Sequence, residues 1–469
     1  MPKVTINGRE LEVEEGKTIL QAALENDIYI PHFCYHPHLP LSGNCRMCLV
    51  ECKPGPPKLV PSCMTPVQDG MEVFSETDKV KKTRQAVMEF LLKNHPVDCP
   101  ICDQAGECTL HEYYMAYDLA PSRLTGPEEK VKKSKARRMG PNVMLDSERC
   151  VLCTRCVRFM RDVVKDECLV IVNRADHSEI TAFPGNEVDN PYSLCLADVC
   201  PVGAWTSADF RFKQRVWFLE SSPSICPHCA RGCNMWLDHK DGEVFRMRGR
   251  VNEDINKSWL CDEGRLSYHA INDGRLLAPR MNGEDVSFED ALAEAVKKIS
   301  EAGSNLVLIA SAGLSVEEGR KLKELSEKTG GKIVLHTGAP GFEDEFLRCS
   351  DKTSNTKGLT DLGISEKLEG PLAEESVAIL FETICPDPLP EGVKAAVVAS
   401  PQLSKAVEAA EVALPAASYA ETSGTVVNID GIEQSYGPAI SVKGDARPHE
   451  DIMTALLDAL SAASQAAAG

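Results

Sequence analysis

No stretch of this chain stays apolar for the roughly 18 residues that a membrane-spanning helix needs. The longest candidates, residues 305–312 and 377–381, are strand-length. Positive charge is also scarce. Lys and Arg total 51 against 70 Asp and Glu, for a formal net charge of −19, which argues against nucleic acid binding because that requires a basic face. One basic run, residues 130–138, interrupts this pattern. It reads as a solvated interdomain linker rather than a docking patch, since charge runs usually face water. No Gly-rich nucleotide fingerprint follows a strand, and a turn such as Ala312-Gly313 is too short to count. The first residues, Met1-Pro2-Lys3-Val4-Thr5, show no charged segment leading into an apolar one, so no export signal is expected.

Cysteine, by contrast, is abundant. There are 20, and without an export signal a disulfide framework is the weaker explanation. Fifteen of them, with one histidine, sort into four sets of four. Cys34, Cys45, Cys48 and Cys63 form the first, spaced C-x10-C-x2-C-x14-C. His95, Cys99, Cys102 and Cys108 form the second, H-x3-C-x2-C-x5-C. The third is Cys150, Cys153 and Cys156 with the distant Cys200-Pro201, and the fourth is Cys226, Cys229, Cys233 and Cys261. Thiolates anchor iron, and iron–sulfur clusters take four ligands. Four such sets in one polypeptide mean electron transfer.

The sets differ in what they specify. Four thiolates in the first suit a two-iron or a four-iron cluster. The second admits structural zinc as well as [4Fe–4S], because Cys₃His is an accepted zinc set, and its place between two cluster motifs favours the cluster. The third follows the bacterial ferredoxin rule that the fourth ligand comes from elsewhere. Met160-Arg161 stands where a two-cluster ferredoxin would have its next Cys-Pro, so one cluster is expected there. The fourth is a longer-range [4Fe–4S] pattern, with Gly232 and Gly264 letting backbone pass close by. Cys52, Cys168, Cys195, Cys349 and Cys385 have no spacing logic and read as ordinary buried or surface thiols.

Local patterns place these motifs. Val4 and Ile6, then Leu11 and Val13, alternate around Asn7-Gly8 and predict a hairpin. Thr18 and Gln21 have capping-box spacing and open a short helix. This hairpin, the helix and the cysteine loop resemble the β-grasp fold of plant-type ferredoxins, closed by a strand at 71–74, which favours [2Fe–2S] in the first set. A helix over 79–94 presents Val80, Thr83, Val87, Phe90 and Leu91 on one face and delivers His95. Residues 113–140 read as a polar, basic connector, and 141–218 as a ferredoxin-like α+β unit. Residues 235–237 and 244–247 predict a hairpin about Asp241-Gly242. Beyond about residue 276, helices at 291–299 and 316–328 alternate with strands at 305–311, 332–336, 377–382, 395–399 and 412–414, the pattern of a mostly parallel α/β sheet. The Ala-rich end, 456–469, reads as a surface helix.

In order, Cys-Arg-Met-Cys-Leu-Val, the His-Cys₃ set, Cys-Val-Leu-Cys-Thr-Arg-Cys-Val-Arg-Phe, Cys-Pro-Val-Gly-Ala and Cys-Pro-His-Cys-Ala-Arg-Gly-Cys resemble one family over residues 1 to about 270. It is the iron–sulfur G subunit (75-kDa type) of NADH:quinone oxidoreductase, complex I. The run from Ala413 to Gly431 resembles the late segment of molybdopterin oxidoreductases. Fewer than 200 residues follow Arg275, however, and Glu263 stands where molybdenum enzymes usually carry a lysine, so no molybdopterin is expected.

The resemblance implies a multidomain α+β and α/β chain. Its parts are a plant-type [2Fe–2S] ferredoxin domain (1–78), a His-Cys₃ [4Fe–4S] helical domain (79–118) and a ferredoxin-like [4Fe–4S] domain (141–219). A molybdopterin-oxidoreductase-type [4Fe–4S] domain (220–275) and a truncated α/β domain (276–469) complete it. The implied cofactors are one [2Fe–2S] and three [4Fe–4S] clusters, with FMN and NAD on a partner subunit. No residue of this chain is implied as catalytic. The implied partners are the flavin/NADH-binding subunit and other peripheral-arm subunits. The implied location is cytoplasmic, peripheral to the inner (cell) membrane through the complex. The equivalent subunit of a soluble NAD-linked hydrogenase, formate dehydrogenase or other reductase shares these N-terminal motifs and stays open. An iron-only hydrogenase would add a two-cluster ferredoxin and a catalytic four-cysteine module, and both are missing.

Overall fold

The computed structural model describes residues 1–117, 121, 123, 126, 129–183, 185–384 and 388–468, and the chain divides into two units, Met1–Trp217 and Phe218–Gly469.

In the first unit the predicted hairpin forms β1 (Lys3–Ile6) and β2 (Arg9–Glu12), with Val4 opposite Leu11 and positive φ at Asn7 and Gly8. Thr18 caps α1 (Ile19–Leu24). Its hydroxyl accepts from the Gln21 N–H, while the Gln21 side chain accepts from the Thr18 N–H. β3 (Leu49–Lys53), β4 (Val60–Pro61) and β5 (Met71–Phe74) complete a sheet of order β2-β1-β5-β3-β4. Ile19, Leu20, Ala22 and Ala23 of α1 pack on Val4, Ile6, Val50 and Val73, so a small β-grasp core backs the first cysteine loop.

α2 (Asp78–Asn94) hands over to His95 in extended backbone. Its inward face differs from the predicted stripe. Val80, Arg84 and Met88 are buried, whereas Phe90 is 77% exposed. Arg84 enters the interior because its guanidinium pairs with Glu76 Oε1 at 2.9 Å and donates to Tyr117 Oη at 3.2 Å. Tyr117 ends α3 (Thr109–Tyr117), so residues 113–117 are helix rather than connector, and Tyr113 is buried. Residues 118–120, 122, 124–125 and 127–128 of the predicted connector lie outside the described residues. The basic run is not a loose linker either. Lys130 Nζ donates to His95 O at 3.0 Å, Lys133 Nζ to Ser178 O at 2.6 Å, and Lys135 pairs with Glu148 at 2.6 Å.

β6 (Arg137–Arg138), β7 (Val143–Leu145), α4 (Arg155–Arg158), β8 (Leu169–Val172), β9 (Glu179–Ala182), α5 (Cys195–Val199) and β10 (Trp205–Ser207) follow. They form a three-stranded sheet, β10-β7-β6, and a separate pair, β8-β9.

The second unit opens with the antiparallel sheet β11 (Glu220–Ile225), β12 (Asn234–Lys240) and β13 (Glu243–Gly249). Short helices α6 (Asp262–Leu266) and α7 (His269–Asn272) lead to β14 (Arg280–Met281) and β15 (Glu284–Asp285). Next come α8 (Phe288–Ala302), β16 (Leu306–Ser311), α9 (Val316–Thr329), β17 (Lys332–His336), α10 (Thr356–Asp361) and β18 (Val377–Phe381). The chain ends with β19 (Val397–Ser400), α11 (Lys405–Ala409), β20 (Val412–Pro415), the hairpin β21 (Gly424–Val427) and β22 (Glu433–Tyr436), and α12 (His449–Ala468).

β17-β16-β18-β19-β20 are parallel neighbours, as the strand–helix alternation predicts, with β14 antiparallel beside β20 and β15 antiparallel at the edge. α8, α9 and α12 cover one face through Ile299, Leu322, Leu325 and Leu456. α12 therefore starts earlier than predicted and is not a surface helix, since Ile452, Met453 and Leu456 are fully buried. No helix among the described residues is long and apolar enough to cross a membrane.

Candidate metal centres

Each ligand turn forces part of its backbone into the left-handed region. Arg46 lies between Cys45 and Cys48 at φ 59°, Leu152 and Thr154 flank Cys153 at 51° and 62°, Gly106 precedes Cys108 at 93°, and Gly232 precedes Cys233 at 62°. Alternating right- and left-handed residues turn successive N–H groups inward and make a concavity for an anion, the kind of nest that holds phosphates and iron–sulfur clusters. Backbone N–H groups already meet several of these sulfurs. Phe33 N–H donates to Cys45 Sγ at 3.5 Å, Leu152 N–H to Cys150 Sγ at 3.4 Å and Gly264 N–H to Cys261 Sγ at 3.3 Å. A Cβ on Gly264 would stand 2.8 Å from Cys226 Sγ, and one on Gly203 only 2.5 Å from Cys102 Sγ, so both glycines make room at the sulfurs. The donor types and these cradles fit iron–sulfur clusters.

The first four sulfurs converge. Cys34 shares hydrogen bonds with Cys45 and Cys63, and Cys63 with Cys48. Those bonds lower the Cys34 and Cys48 thiols and raise their partners Cys45 and Cys63. In the third set burial pushes Cys150 and Cys200 up to about 12 and raises Cys153 and Cys156 as well. Cys156 feels the charges of Cys153, Cys150 and Cys200, which brings the whole set together. Bare thiols in such surroundings stay neutral, and coordinated iron is what would hold them as thiolates.

In the second set Cys102 and Cys108 are raised by burial, and Cys108 feels Cys102 and Cys99. His95 shares the charged neighbours Asp98 and Arg149 with Cys102. Burial, helped by Arg149, Lys130 and Lys135, holds His95 down at about 4, so its ring is neutral and offers a lone pair near pH 7. In the fourth set Cys233 is raised by burial and by Cys226, Cys229 and Cys261.

Two arginines outside the spaced motifs tie the first three sets together. Arg158, at the end of α4, is buried and donates from Nη2 to Cys34 O at 2.5 Å and to Cys153 O at 3.3 Å. Its Nη1 donates to Pro40 O and its Nε to Thr154 Oγ1 at 3.2 Å. One guanidinium thus fastens the first ligand loop to the third. Asn44 Nδ2 adds a bond to Leu152 O at 3.1 Å. Arg149, just before Cys150, pairs with Asp98 at 2.8 Å, just before Cys99. Thr109 N–H, beside Cys108, donates to Pro201 O at 3.0 Å, beside Cys200. The third set therefore adjoins both the first and the second. Motif spacing could announce neither junction, because each joins residues far apart in sequence.

The late segment wraps the fourth set. Ile429 N–H donates to Ala230 O at 2.8 Å, Asn428 Nδ2 to Arg231 O at 3.3 Å and Gln434 Nε2 to Gly232 O at 2.9 Å. Glu263 pairs with His228 at 3.1 Å and Lys352 at 3.4 Å. Burial works against its charge, but these partners outweigh it and hold the carboxyl below its usual range. Beside them, at the carboxyl ends of β16, β17 and β18, a cavity of about 150 Å³ is lined by His228, Glu263, Lys352, Ser311, His336 and Thr383.

Family models match in the same order. Residues 2–78 match a 2Fe-2S iron-sulfur cluster binding domain, and 84–123 the NADH-ubiquinone oxidoreductase-G iron-sulfur binding region. Residues 140–206 match the ferredoxin-like domain of NADH-quinone oxidoreductase subunit 3, and 219–273 a molybdopterin oxidoreductase Fe4S4 domain. Residues 391–459 match a molybdopterin oxidoreductase family.

The G subunit of the NADH-quinone oxidoreductase of Rickettsia felis is 42% identical over 335 residues, 70% of this chain and 49% of that protein. The NADH-ubiquinone oxidoreductase 75 kDa subunit of Reclinomonas americana is 38% identical over 381 residues, 78% of this chain and 55% of that protein. A solved NAD+-reducing [NiFe]-hydrogenase, in the H2-reduced state, is 29% identical and covers 46% of this chain and 91% of its own, with a TM-score of 0.42. The chain spans about half the length of the curated relatives it matches. The multidomain architecture is as expected, with a 2Fe-2S-type domain, 4Fe-4S-type domains and a shortened molybdopterin-oxidoreductase-like part. By these matches the chain is a close homologue of the iron–sulfur G subunits and 75-kDa subunits of NADH:quinone oxidoreductases and belongs to their family.

Proposed function

We propose that this chain is the electron-relay subunit of a complex I-type NADH:quinone oxidoreductase, taking electrons from a flavin on a partner subunit and passing them toward quinone. In this reading Cys34, Cys45, Cys48 and Cys63 hold a [2Fe–2S] cluster. [4Fe–4S] clusters are held by His95 with Cys99, Cys102 and Cys108, by Cys150, Cys153, Cys156 and Cys200, and by Cys226, Cys229, Cys233 and Cys261. The domain limits are those drawn from the sequence. Bound there, the clusters would accept and release single electrons without moving atoms far.

The chain's own residues supply spacing and dryness. The observation that carries the reading is the double junction of the third ligand set, through Arg158 to the first and through Arg149 and Thr109 to the second. It supports a path from the first set to the third and then the second. Val97 and Ile101, beside the second set, are 78% and 65% exposed and offer that end to an acceptor subunit. The fourth set serves as a structural centre of the second unit, off the main path. The chain binds no pterin, attaches to the inner membrane only through its partners, and oxidises no NADH alone.

The test is NADH reduction of the assembled complex and of the isolated chain, followed by EPR. The complex should show its clusters reduced, and the isolated chain with added FMN should show none. A Cys153→Ala complex that still assembles should pass no electrons to quinone. NADH oxidation by the isolated chain, or full turnover with Cys153→Ala, would overturn the proposal.

A further inference from the structure

The fourth site has a fifth sulfur. Cys349, one of the cysteines without a spacing pattern, packs against Cys229, and neither is in a disulfide. Both are 6% exposed and pack with Ala230 as one small buried group. The contact is built rather than incidental. Ala230 N–H donates to Asp351 O at 3.0 Å and Arg231 Nε to Leu347 O at 3.2 Å, so the segment carrying Cys349 is pinned on both sides to the turn carrying Cys229. Residues 337–355 have no helix or strand, so no regular element fixes the Cys349 side chain. A thiol side chain on such a segment can reorient about its Cα–Cβ bond while the backbone stays anchored.

We propose that Cys349 is a reserve ligand of the fourth iron–sulfur site, able to take the iron corner held by Cys229. The exchange breaks one iron–sulfur bond to Cys229 and forms one to Cys349. The Cys349 thiol proton passes to the released Cys229 sulfur, and no electron changes hands. Iron prefers a thiolate to any other side chain nearby, and the two cysteines already pack together in one buried group. The site therefore keeps four thiolates through loss of Cys229 to substitution or oxidation. Cys226, Cys233 and Cys261 have the remaining corners, and the exchange involves Cys229 alone.

The inference rests on the fourth set holding a cluster, and the test separates the two. The full chain is purified anaerobically as wild type, Cys229→Ala, Cys349→Ala, Cys229→Ala with Cys349→Ala, and Cys226→Ala. Iron and sulfide are counted and the reduced proteins examined by EPR. Cys229→Ala and Cys349→Ala should each keep the full iron count, with altered g values for Cys229→Ala. The double variant and Cys226→Ala should each lose about four irons. If Cys229→Ala alone loses as much iron as Cys226→Ala, Cys349 is not a ligand and the inference fails. If Cys226→Ala loses no iron, the cluster assignment itself fails. Should Cys229→Ala not fold, Cys229→Ser with and without Cys349→Ala gives the same two outcomes.

Discussion

Replacing Arg158 with glutamine should shift two centres at once. The guanidinium is 5% exposed and donates to the carbonyls of Cys34, Pro40 and Cys153, which belong to two ligand loops. It is also close enough to the Cys153, Cys34 and Cys156 sulfurs for their charges to act on it. Removing a unit charge at roughly 7–10 Å, with an effective permittivity of about 20, costs the added electron about 1.7–2.4 kcal/mol, or about 70–100 mV per centre. Losing two charge-assisted hydrogen bonds costs about 3 kcal/mol of stability or more. EPR-monitored redox titration of Arg158→Gln and Arg158→Lys separates these effects. Glutamine should lower the potentials of the first and third centres together. Lysine keeps the charge and should restore the potentials, but it lacks the fork and should leave the melting temperature depressed. If both potentials stay within ~20 mV of wild type while the melting temperature falls, Arg158 is only a structural brace and the electrostatic argument is wrong.

His95→Cys should keep a cluster in the second site while changing its potential and EPR spectrum, because a thiolate replaces a neutral imidazole; metal analysis with EPR checks it. Glu421→Gln should destabilise the second unit by about 3–5 kcal/mol in thermal or denaturant unfolding, since Arg275 and Glu421 pair at 2.7 Å with side chains only 2% and 0% exposed. Asp238 is opposed by burial but held below its usual range by Arg248 and Arg246. A depressed carboxylate stabilises the fold above its unfolded pKa of about 3.9 and loses that contribution as pH falls through its folded value. The melting-temperature gap between wild type and Asp238→Asn should therefore be widest above pH 5 and shrink toward pH 3.

The cysteine motifs and the local elements around them were legible because both depend on short-range spacing. The Asn7-Gly8 hairpin and the Thr18 capping box fold as their residues dictate. Longer-range facts were not. Arg84 occupies the inward face of α2 with its Nη1 bonded to Glu76 and Tyr117, and a pattern of apolar residues cannot see such partners. The segment before the basic run hid α3, whose Tyr113 is buried, with its hydroxyl accepting from the His32 N–H at 2.9 Å. Cys349 gave no signal for the same reason, since it reaches Cys229 only through tertiary folding. Cys385 lies outside the described residues.

The most direct test of the account is the iron, zinc and acid-labile sulfide content of the purified chain, read with EPR after reduction. The four ligand sets predict about fourteen irons, with signals from one [2Fe–2S] and three [4Fe–4S] clusters and no bound zinc. Stoichiometric zinc with only three clusters would contradict the assignment of His95 and its three cysteines, and a chain carrying disulfides in place of iron would contradict the whole.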